Sequence, residues 1–375
     1  MRIAIDCRSI FPGAGGIGHH AAALVRALAR VDGGHEYLLL FGSRAPEVPI
    51  VRDDRFRCVM CETGMIDEQW EQVQLPAVLA DRGVDLYHSP CFALPVVQTT
   101  SRRISTVHDV VFRARPDLVE AGLGGYLDRW TEHAVDVADA VITVSEFSRN
   151  EILAAYGPPP EKVQVIYNGV ESRFHRPRSG RTKRDLAGRL GLGGRIVLYV
   201  GSLEPKKNID RLLAAFAQLA RGGTDDATLV LAGGRGGKSY AADAAIDRLG
   251  LRDRTHLTGY LDDADIVTLM QMADLFVYPS LYEGFGLPPL EAMACGTPVV
   301  VSDATCLPEI VGGAALVASA EDVDEIAAAM RRGLADRNLR RALTLAGRRR
   351  AREFTWERTA RQTLAVYESV AEDVQ

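Results

Sequence analysis

The sequence predicts an α/β protein built from two successive Rossmann-like, doubly wound domains. Short apolar segments alternate with amphipathic helical segments along most of the chain, which is typical of parallel β-α-β units. This alternation starts afresh near residue 195, after a stretch rich in arginine and glycine. A chain of 375 residues is also too long for one small core and suits two domains of ordinary size.

Apolar segments in the first half predict seven strands. They lie at residues 2–6, 37–41, 56–60, 86–90, 104–109, 140–145 and 163–169. A glycine-rich turn follows the first strand and leads into a helix with Leu24, Leu28 and Val31 on one face. Another helix is predicted from Glu146.

The second half predicts a further set of strands, at residues 196–201, 228–233, 256–259, 275–279 and 298–302. Helices are predicted at 209–220 and 262–272, and a final amphipathic helix near the C-terminus. We therefore expect an N-terminal domain over residues 1–172, a basic linker over 173–194, a second domain over 195–354 and a C-terminal helix within 355–375.

Composition excludes several classes of protein. A net charge of -5 argues against a nucleic-acid-binding protein, because phosphate neutralisation needs a basic surface. The sequence has no run of about 18 apolar residues and begins without a signal peptide's apolar segment, so we expect a cytoplasmic protein. Peripheral membrane contact through Arg102, Arg103, Arg113 and Arg115 is an alternative to the simpler interpretation of a solvated face.

A metal site is not expected. Cys58 and Cys61 form a C-x-x-C, a spacing typical of zinc or redox sites. On the predicted strand, however, side chains three positions apart point to opposite faces, and no second pair completes four ligands. We interpret these cysteines as incidental thiols.

The most informative stretch is residues 280–296, where Glu283 and Glu291 flank a loop with glycines and prolines. Pro289 and Gly296 predict a short helix that begins at the proline and ends before the glycine, with Glu291 in its first turn. A carboxylate there can accept hydrogen bonds from two hydroxyls of one polyol. A hydrolase would need both carboxylates aimed at one bond, which a loop-to-helix arrangement does not favour.

The backbone before this helix is a candidate anion site. The N–H groups of Phe285, Gly286 and Leu287 precede the first helical hydrogen bonds, so they can face a phosphate or a sugar. Together with the two glutamates, this arrangement points to a sugar nucleotide.

The turn at residues 13–18 reads GAGGIG and matches the dinucleotide fingerprint G-x-G-x-x-G. The turn is longer than the fingerprint uses, and the second strand lacks the acid that would hold an adenosine ribose. We therefore favour a backbone cradle for another phosphate, formed at Gly15 and Gly16, over an NAD-dependent oxidoreductase.

Further polar residues follow predicted strands, where ligands gather in open α/β sheets. Lys206 and Lys207 could stabilise the charge that develops on a leaving pyrophosphate. His108 could hydrogen-bond a substrate hydroxyl or act as a base, and Tyr260 follows a strand that ends at a glycine. The ordinary alternatives are solvated lysines and a structural histidine.

Taken together, these segments resemble family 4 glycosyltransferases of the GT-B fold, and more specifically bacterial mannosyltransferases of surface polysaccharide synthesis. The resemblance runs nearly end to end. Its most specific motif is E-x7-E, met by Glu283 and Glu291. It also covers GGIG at 15–18, VHD at 107–109, TVSEFS at 143–148 and GSLEPKKN at 201–208.

The resemblance implies two domains facing across a cleft, with the C-terminal helix crossing back to the N-terminal domain. It also implies a role for each matched residue. Glu291 would bind the nucleotide ribose, Glu283 the transferred sugar, and the loop amides after it sugar or phosphate. The lysine pair and Gly16 would bind the diphosphate, and His108 would face the donor sugar.

The implied reaction is sugar transfer with retention and without a metal, because no D-x-D cluster stands where a cation would bridge phosphates. The favoured donor is GDP-mannose, and the expected acceptor is a glycan or a lipid-linked acceptor. A UDP-sugar donor and a non-catalytic nucleotide-sugar or glycan-binding protein are the alternatives. Ser202 stands where many relatives have arginine, and Lys206 lacks a planar fork, so diphosphate binding would depend more on Lys207.

Overall fold

The computed structural model describes residues 1–11, 13–44, 50–64, 67–97, 99–222, 226–234 and 242–372. The chain divides into two compact units. The first contains Met1–Gly169 and the C-terminal segment that begins at Thr355, and the second contains Val170–Phe354. Each unit is built on its own parallel sheet.

The first unit is a Rossmann-like layer. Its described strands are β1 (Arg2–Asp6), β2 (Glu36–Phe41), β3 (Phe56–Met60), β4 (Leu86–Ser89), β5 (Arg102–Thr106), β6 (Ala140–Thr143) and β7 (Val163–Val165). They form one sheet in the order β3-β2-β1-β4-β5-β6-β7. Its helices are α1 (Gly16–Val31), α2 (Leu75–Asp81), α3 (Val111–Ala114), α4 (Ala121–Val137) and α5 (Glu146–Tyr156).

The second unit repeats this architecture. Its described strands are β8 (Arg195–Val200), β9 (Ala227–Ala232), β10 (Thr255–Gly259), β11 (Leu275–Tyr278), β12 (Val299–Ser302) and β13 (Leu316–Ala318). They form a sheet in the order β10-β9-β8-β11-β12-β13. Its helices are α6 (Gly180–Leu190), α7 (Ile209–Arg221), α8 (Ala242–Arg248), α9 (Asp263–Met272), α10 (Leu287–Cys295), α11 (Leu307–Val311), α12 (Val323–Ala335) and α13 (Arg337–Ala351). The two parallel sheets confirm the predicted fold class.

The last helix, α14 (Trp356–Glu372), packs against α1 and completes the core of the first unit. Trp356, Ala360, Val366 and Tyr367 are buried in the same cluster as the strand residues of β1 and β2. The helix is amphipathic because its apolar residues recur at helical spacing. The C-terminal helix therefore belongs to the N-terminal fold, as the resemblance implied.

Local departures from the sequence predictions have physical reasons. β5 ends at Thr106, so His108 lies in the following loop rather than on the strand. β13 was not predicted, because three residues are too few to show a period. The stretch 173–194, which was predicted to be a linker, lies in the second unit and contains α6. Lys183, in α6, donates a hydrogen bond to the carbonyl of Gln271 in α9.

Gly169 allows the start of the C-terminal helix to pack closely against the first unit, and we expect Gly169→Ala to destabilise this packing. A Cβ at Gly169 would lie 2.1 Å from the backbone nitrogen of Trp356, so the start of α14 would have to move. The expected loss is about 1–3 kcal/mol in the free energy of unfolding, measured by urea denaturation. Gly125→Ala, in α4, is the matched control, because its new Cβ would meet nothing within 4 Å in the described part of the chain. Equal stability of the two variants would contradict the prediction.

Candidate active site

The candidate site lies where the strand order of the second sheet reverses, between β8 and β11. β9 and β10 lie on one side of this point, and β12 and β13 lie on the other. In open parallel sheets, ligands bind outside the carboxyl ends of the strands at such a switch point. β8 is followed by the turn Pro205–Lys207, and β11 by the loop that carries Glu283. Two segments that the sequence singled out therefore meet at one edge of one sheet.

Lys207 and Glu283 form an almost buried ion pair across this switch point. Lys207 Nζ donates to Glu283 Oε1 over 2.5 Å and to the hydroxyl of Tyr278 over 3.0 Å. The two side chains are only 10% and 11% exposed. Burial alone would lower the pKa of Lys207 and raise the pKa of Glu283. Each charge stabilises the other, however, so the pKa of Lys207 is raised and the pKa of Glu283 is lowered. Both groups are therefore charged at neutral pH.

Asn208 holds the lysine turn in place. Its backbone is left-handed, with φ 61°, a conformation that asparagine tolerates better than most residues. Its Nδ2 donates to the carbonyls of Pro279, over 2.9 Å, and Ala320, over 2.6 Å. The N–H of Leu281 donates to the carbonyl of Lys206 over 2.8 Å. These bonds tie the turn after β8 to the loop after β11, so they set the position of the lysine relative to its partner.

The backbone of Glu283 is held by two residues that sequence reasoning missed. Thr305 Oγ1 accepts from the N–H of Glu283 over 3.1 Å, and Cys306 Sγ donates to its carbonyl over 3.2 Å. Thr305 has φ 57°, an uncommon conformation for a β-branched residue. Both residues lie in the turn after β12, the next strand of the sheet. No local pattern in the sequence connects this turn with the acid, since the contact depends on strand order.

Glu291 is the fifth residue of α10 and lies in its second turn. The predicted first-turn position is wrong, because the helix begins at Leu287 rather than at Pro289. The predicted end is confirmed, since Gly296 closes the helix with a left-handed φ of 88°.

The surroundings of Glu291 favour its protonated form. Burial raises the pKa of Glu291 to about 8, although the charge of Arg173 acts in the opposite direction. Arg173 is itself paired with Glu171, over 2.8 Å, and with Asp263. Arg173 falls in the stretch that was predicted to be a basic linker, so its contribution to the site was missed.

The three residues whose amides were predicted to bind the ligand lie at the start of α10. Gly286 is the N-cap, with a left-handed φ of 85°, and Leu287 is the first helical residue. Pro288 and Pro289 carry no N–H, so Leu287 is the last backbone donor of this helix start, and the predicted roles of the three amides stay predictions. The side chain of Phe285 is buried and serves packing.

Two predicted donor contacts lie at different distances from the ion pair. Lys206 is adjacent to it in the same turn, and its charge helps Lys207 to keep the pKa of Glu283 low despite burial. Tyr260 follows β10, an edge strand, and is 69% exposed. Because β9 separates β10 from β8, Tyr260 lies about two strand spacings, or roughly 10 Å, from the end of β8. The structure does not bring it together with the ion pair, and its donor-binding role stays a prediction.

Three glycines that occupy the carboxyl ends of neighbouring strands leave this edge without side chains. Gly201 follows β8, Gly233 follows β9 and Gly259 ends β10. A Cβ at Gly233 would lie 1.9 Å from the carbonyl oxygen of Gly201, and its φ of 152° favours glycine. Gly233 therefore allows the backbones that follow β8 and β9 to approach each other closely. The recurrence of glycine after successive strands was the available sequence signal.

The first unit contains the other predicted site residues. Gly15 is the N-cap of α1 and Gly16 its first residue, and a Cβ at either would meet no atom of the described residues within 4 Å. The start of α1 is therefore open to a ligand that approaches its N–H groups.

His108 lies in the loop after β5 and is partly buried. Its Nε2 lies 3.0 Å from the carbonyl of Pro90, which can only accept, so Nε2 carries the proton and Nδ1 is the acceptor of the neutral ring. Burial lowers the pKa of His108, against the Pro90 bond and the charge of Asp109. The ring of His20 stands edge-on to it, with centroids 4.7 Å apart. A neutral His108 can accept a hydrogen bond from a hydroxyl through Nδ1.

The arginines considered for membrane contact are largely neutralised. Arg102, Arg113 and Arg115 each form an ion pair with an aspartate, over 2.7, 3.0 and 2.8 Å respectively. None of the helices in the described part of the chain has the length and apolar character that a bilayer crossing requires.

Comparison with known proteins identifies the family. The family model described as Glycosyltransferase Family 4 matches residues 14–174, and the one described as Glycosyl transferases group 1 matches residues 186–350. O-antigen chain mannosyltransferase B of Escherichia coli is 36% identical over 283 residues, which cover 75% of this chain and 74% of that protein. The chain belongs to glycosyltransferase family 4.

Two further similarities place this glycosyltransferase among known proteins. MMP alpha-(1->4)-mannosyltransferase of Mycolicibacterium hassiacum is 38% identical over 233 residues, which cover 61% of this chain and 53%, about half, of that relative. The structure of sucrose-phosphate synthase from Thermosynechococcus elongatus superimposes with a TM-score of 0.80 at 24% identity and covers 99% of both chains. This likeness shows the shared GT-B fold.

The glycosyltransferase should be destabilised by loss of either member of the ion pair. Lys207→Met would leave the Glu283 carboxylate enclosed without its cation, at an expected cost of about 3–5 kcal/mol in the free energy of unfolding. Adding Glu283→Gln should recover most of this loss. Urea unfolding followed by circular dichroism measures both.

Lys183→Met is the matched control for that measurement, because Lys183 Nζ donates to the carbonyl of Gln271. It should cost no more than about 1 kcal/mol. A Lys207→Met variant as stable as this control would show that the ion pair does not carry the stability assigned to it.

Proposed function

We propose that this glycosyltransferase transfers mannose from GDP-mannose to a glycan or lipid-linked acceptor, with retention of configuration, in the assembly of a cell-surface polysaccharide. The observation that carries nucleotide-sugar transfer is the buried Lys207–Glu283 pair at the switch point of the second sheet. The choice of mannose is supported by the names of the two relatives, both mannosyltransferases.

In this proposal the lysine turn stabilises the departing diphosphate. Lys207 is held by Glu283 and Tyr278, so its charge is already in place and needs no reorganisation as the sugar–phosphate bond breaks. Lys206 and the N–H groups at Gly286 and Leu287 add positive potential. These groups supply the role that a cation would otherwise have, so we propose that a divalent metal is not required.

Glu291 binds the nucleotide in this proposal, and Glu283 contacts the transferred sugar. A ribose offers two neighbouring hydroxyls, both of which can donate to one carboxylate of Glu291. The acceptor hydroxyl attacks the anomeric carbon on the face that the diphosphate leaves. Its proton passes to the departing phosphate oxygen, the base that forms beside it. His108, with Nδ1 as its acceptor, would hydrogen-bond the donor sugar.

A donor panel tests the proposed substrate. We expect GDP-mannose to raise the melting temperature and to be slowly hydrolysed, with and without EDTA, whereas UDP-glucose and NADH have smaller effects. A larger shift with UDP-glucose would replace the donor within the same fold. Binding without any hydrolysis or transfer would favour a non-catalytic binding protein, and stabilisation by NADH alone would overturn glycosyl transfer altogether.

The raised pKa of Glu291 predicts a pH-dependent affinity for the donor. Ribose hydroxyls stabilise the carboxylate, so below its free-protein pKa of about 8 binding must release a proton. The Kd for GDP-mannose should therefore fall as pH rises, by up to about tenfold per pH unit, and level off above the pKa. Calorimetry measures the Kd at each pH, and neither phosphate of a sugar diphosphate titrates near the pKa of Glu291.

Glu291→Gln should remove this pH dependence and weaken binding, whereas the exposed Glu321→Gln should keep the wild-type profile. An identical pH profile in wild type and Glu291→Gln would exclude the carboxylate from the nucleotide site.

Lys207→Met should chiefly slow the transfer step. Because the lysine stabilises charge that develops as the bond breaks, kcat should fall by about a hundredfold to a thousandfold while the Kd for GDP-mannose changes less. Steady-state kinetics and calorimetry separate the two effects. An unchanged kcat would contradict a role for this lysine at the leaving group.

A further inference from the structure

The first sheet has its own switch point, between β1 and β4, and a small cavity lies there. Asp6 ends β1, and Ser89 ends β4; both line the cavity. The rule that places ligands at the carboxyl ends of strands, where the strand order reverses, applies to this sheet as it does to the second. None of the site residues predicted from the sequence lines this cavity.

Arg8 lines the cavity, is buried, and forms ion pairs with two carboxylates. Arg8 Nη2 donates to Asp6 Oδ2 over 2.7 Å and to Glu71 Oε1 over 2.9 Å. The three side chains are 4–5% exposed. The guanidinium also lies over the ring of Trp70, 4.3 Å from its centroid. One positive and two negative charges leave an excess negative charge in a buried place, which favours a ligand that donates hydrogen bonds.

Hydrogen-bonding capacity remains unused at this cluster. Arg8 Nη1 and Glu71 Oε2 are buried and have no hydrogen-bond partner among the described residues. One is a donor and the other an acceptor. The buried hydroxyl of Tyr126 also has no partner in the described chain. Burial and then the charge of Glu71 raise the pKa of Tyr126, so that hydroxyl lies within the field of the cluster.

The dimensions of the cavity suit a single hydroxyl with a ring outside it. The cavity and its open mouth enclose about 300 Å³, but the enclosed part has room for about one water molecule. A hydroxyl has the size of a water and can both donate and accept, so it can satisfy Arg8 Nη1 and Glu71 Oε2 together. Phe92 lines the cavity, and the ring of Tyr126 stands edge-on to it, with centroids 6.2 Å apart. The aromatic ring of Phe92 suits an apolar face of a sugar ring.

We propose that the cavity bounded by Arg8, Glu71 and Phe92 binds one hydroxyl of the acceptor carbohydrate and thereby selects and orients the acceptor. This inference rests on the proposed function, because it takes the acceptor to be a carbohydrate. The competing explanation is a structural water that bridges Arg8 Nη1 and Glu71 Oε2 and is not displaced by substrate.

Glu71→Gln is the variant that tests the proposal, because it keeps the side chain's shape while removing its charge. Saturation-transfer NMR would measure binding of methyl α-mannoside and of its four monodeoxy analogues to wild type and variant. We expect one analogue to bind wild type about tenfold more weakly than the parent glycoside. Glu71→Gln should weaken the parent by a similar factor but leave that analogue within about twofold, because its hydroxyl is already absent.

Two further variants keep the result interpretable. Arg8→Lys replaces Glu71→Gln if the latter fails to fold, because it removes the unpartnered Nη1 while keeping the positive charge, and the same coupling is expected. Tyr156→Phe is the matched control, since its hydroxyl bonds Asp128 and does not line the cavity, and it should bind every glycoside as wild type does. Tyr156→Phe should also hydrolyse the donor without acceptor at the wild-type rate.

The outcomes separate this inference from the proposed donor chemistry. Equal weakening of all five glycosides would indicate a structural water only and would overturn the inference. No binding of any glycoside by wild-type protein that still hydrolyses GDP-mannose would also overturn it. The wild-type protein could also fail to bind GDP-mannose while Glu71→Gln still weakens the parent glycoside and not the one deoxy analogue. That result would reject the donor assignment and leave a carbohydrate site in the first unit.

Discussion

The ion pair between Lys207 and Glu283 is the interaction on which the second unit's site depends. Removing two charges from water costs several kcal/mol for each ion, so the pair persists only where its geometry is held closely. The surrounding bonds serve that purpose: Tyr278 shares the ammonium, Asn208 fixes the turn, and Thr305 and Cys306 hold the backbone of the acid. Three strands of the sheet thus contribute to the position of one positive charge.

The two sheets use the same topological position for different chemistry. At the second switch point a lysine and a glutamate balance each other, and further donors at Lys206, Gly286 and Leu287 make the surroundings attractive to an anion. At the first switch point Arg8 is outnumbered by Asp6 and Glu71. The excess negative charge there disfavours a phosphate and favours a neutral ligand with hydroxyl donors. The same fold, repeated in one chain, therefore has opposite electrostatic character at its two switch points.

Sequence reasoning succeeded where a signal is local. Alternating strands and helices, glycines at strand ends and the E-x7-E spacing are patterns of neighbouring residues, and they predicted both sheets and the Lys207 and Glu283 segments. It failed where a contact depends on strand order. Thr305, Arg173 and the Arg8–Glu71 pair reach their partners only after the sheet has formed. The start of α10 was misjudged by two residues because proline is tolerated throughout the first helical turn, so Pro289 does not fix the first position.

The docking of α14 on the first unit has a consequence for biosynthesis. The second unit is one continuous stretch, whereas the core of the first includes Trp356 and Tyr367, near the end of the chain. During translation, the apolar face of α1 leaves the ribosome early but cannot be covered by its partner helix until the entire second unit has been made. Of the two units, the one whose synthesis begins first is therefore the one that is completed last. Its uncovered apolar face is where we expect a chaperone to bind during synthesis.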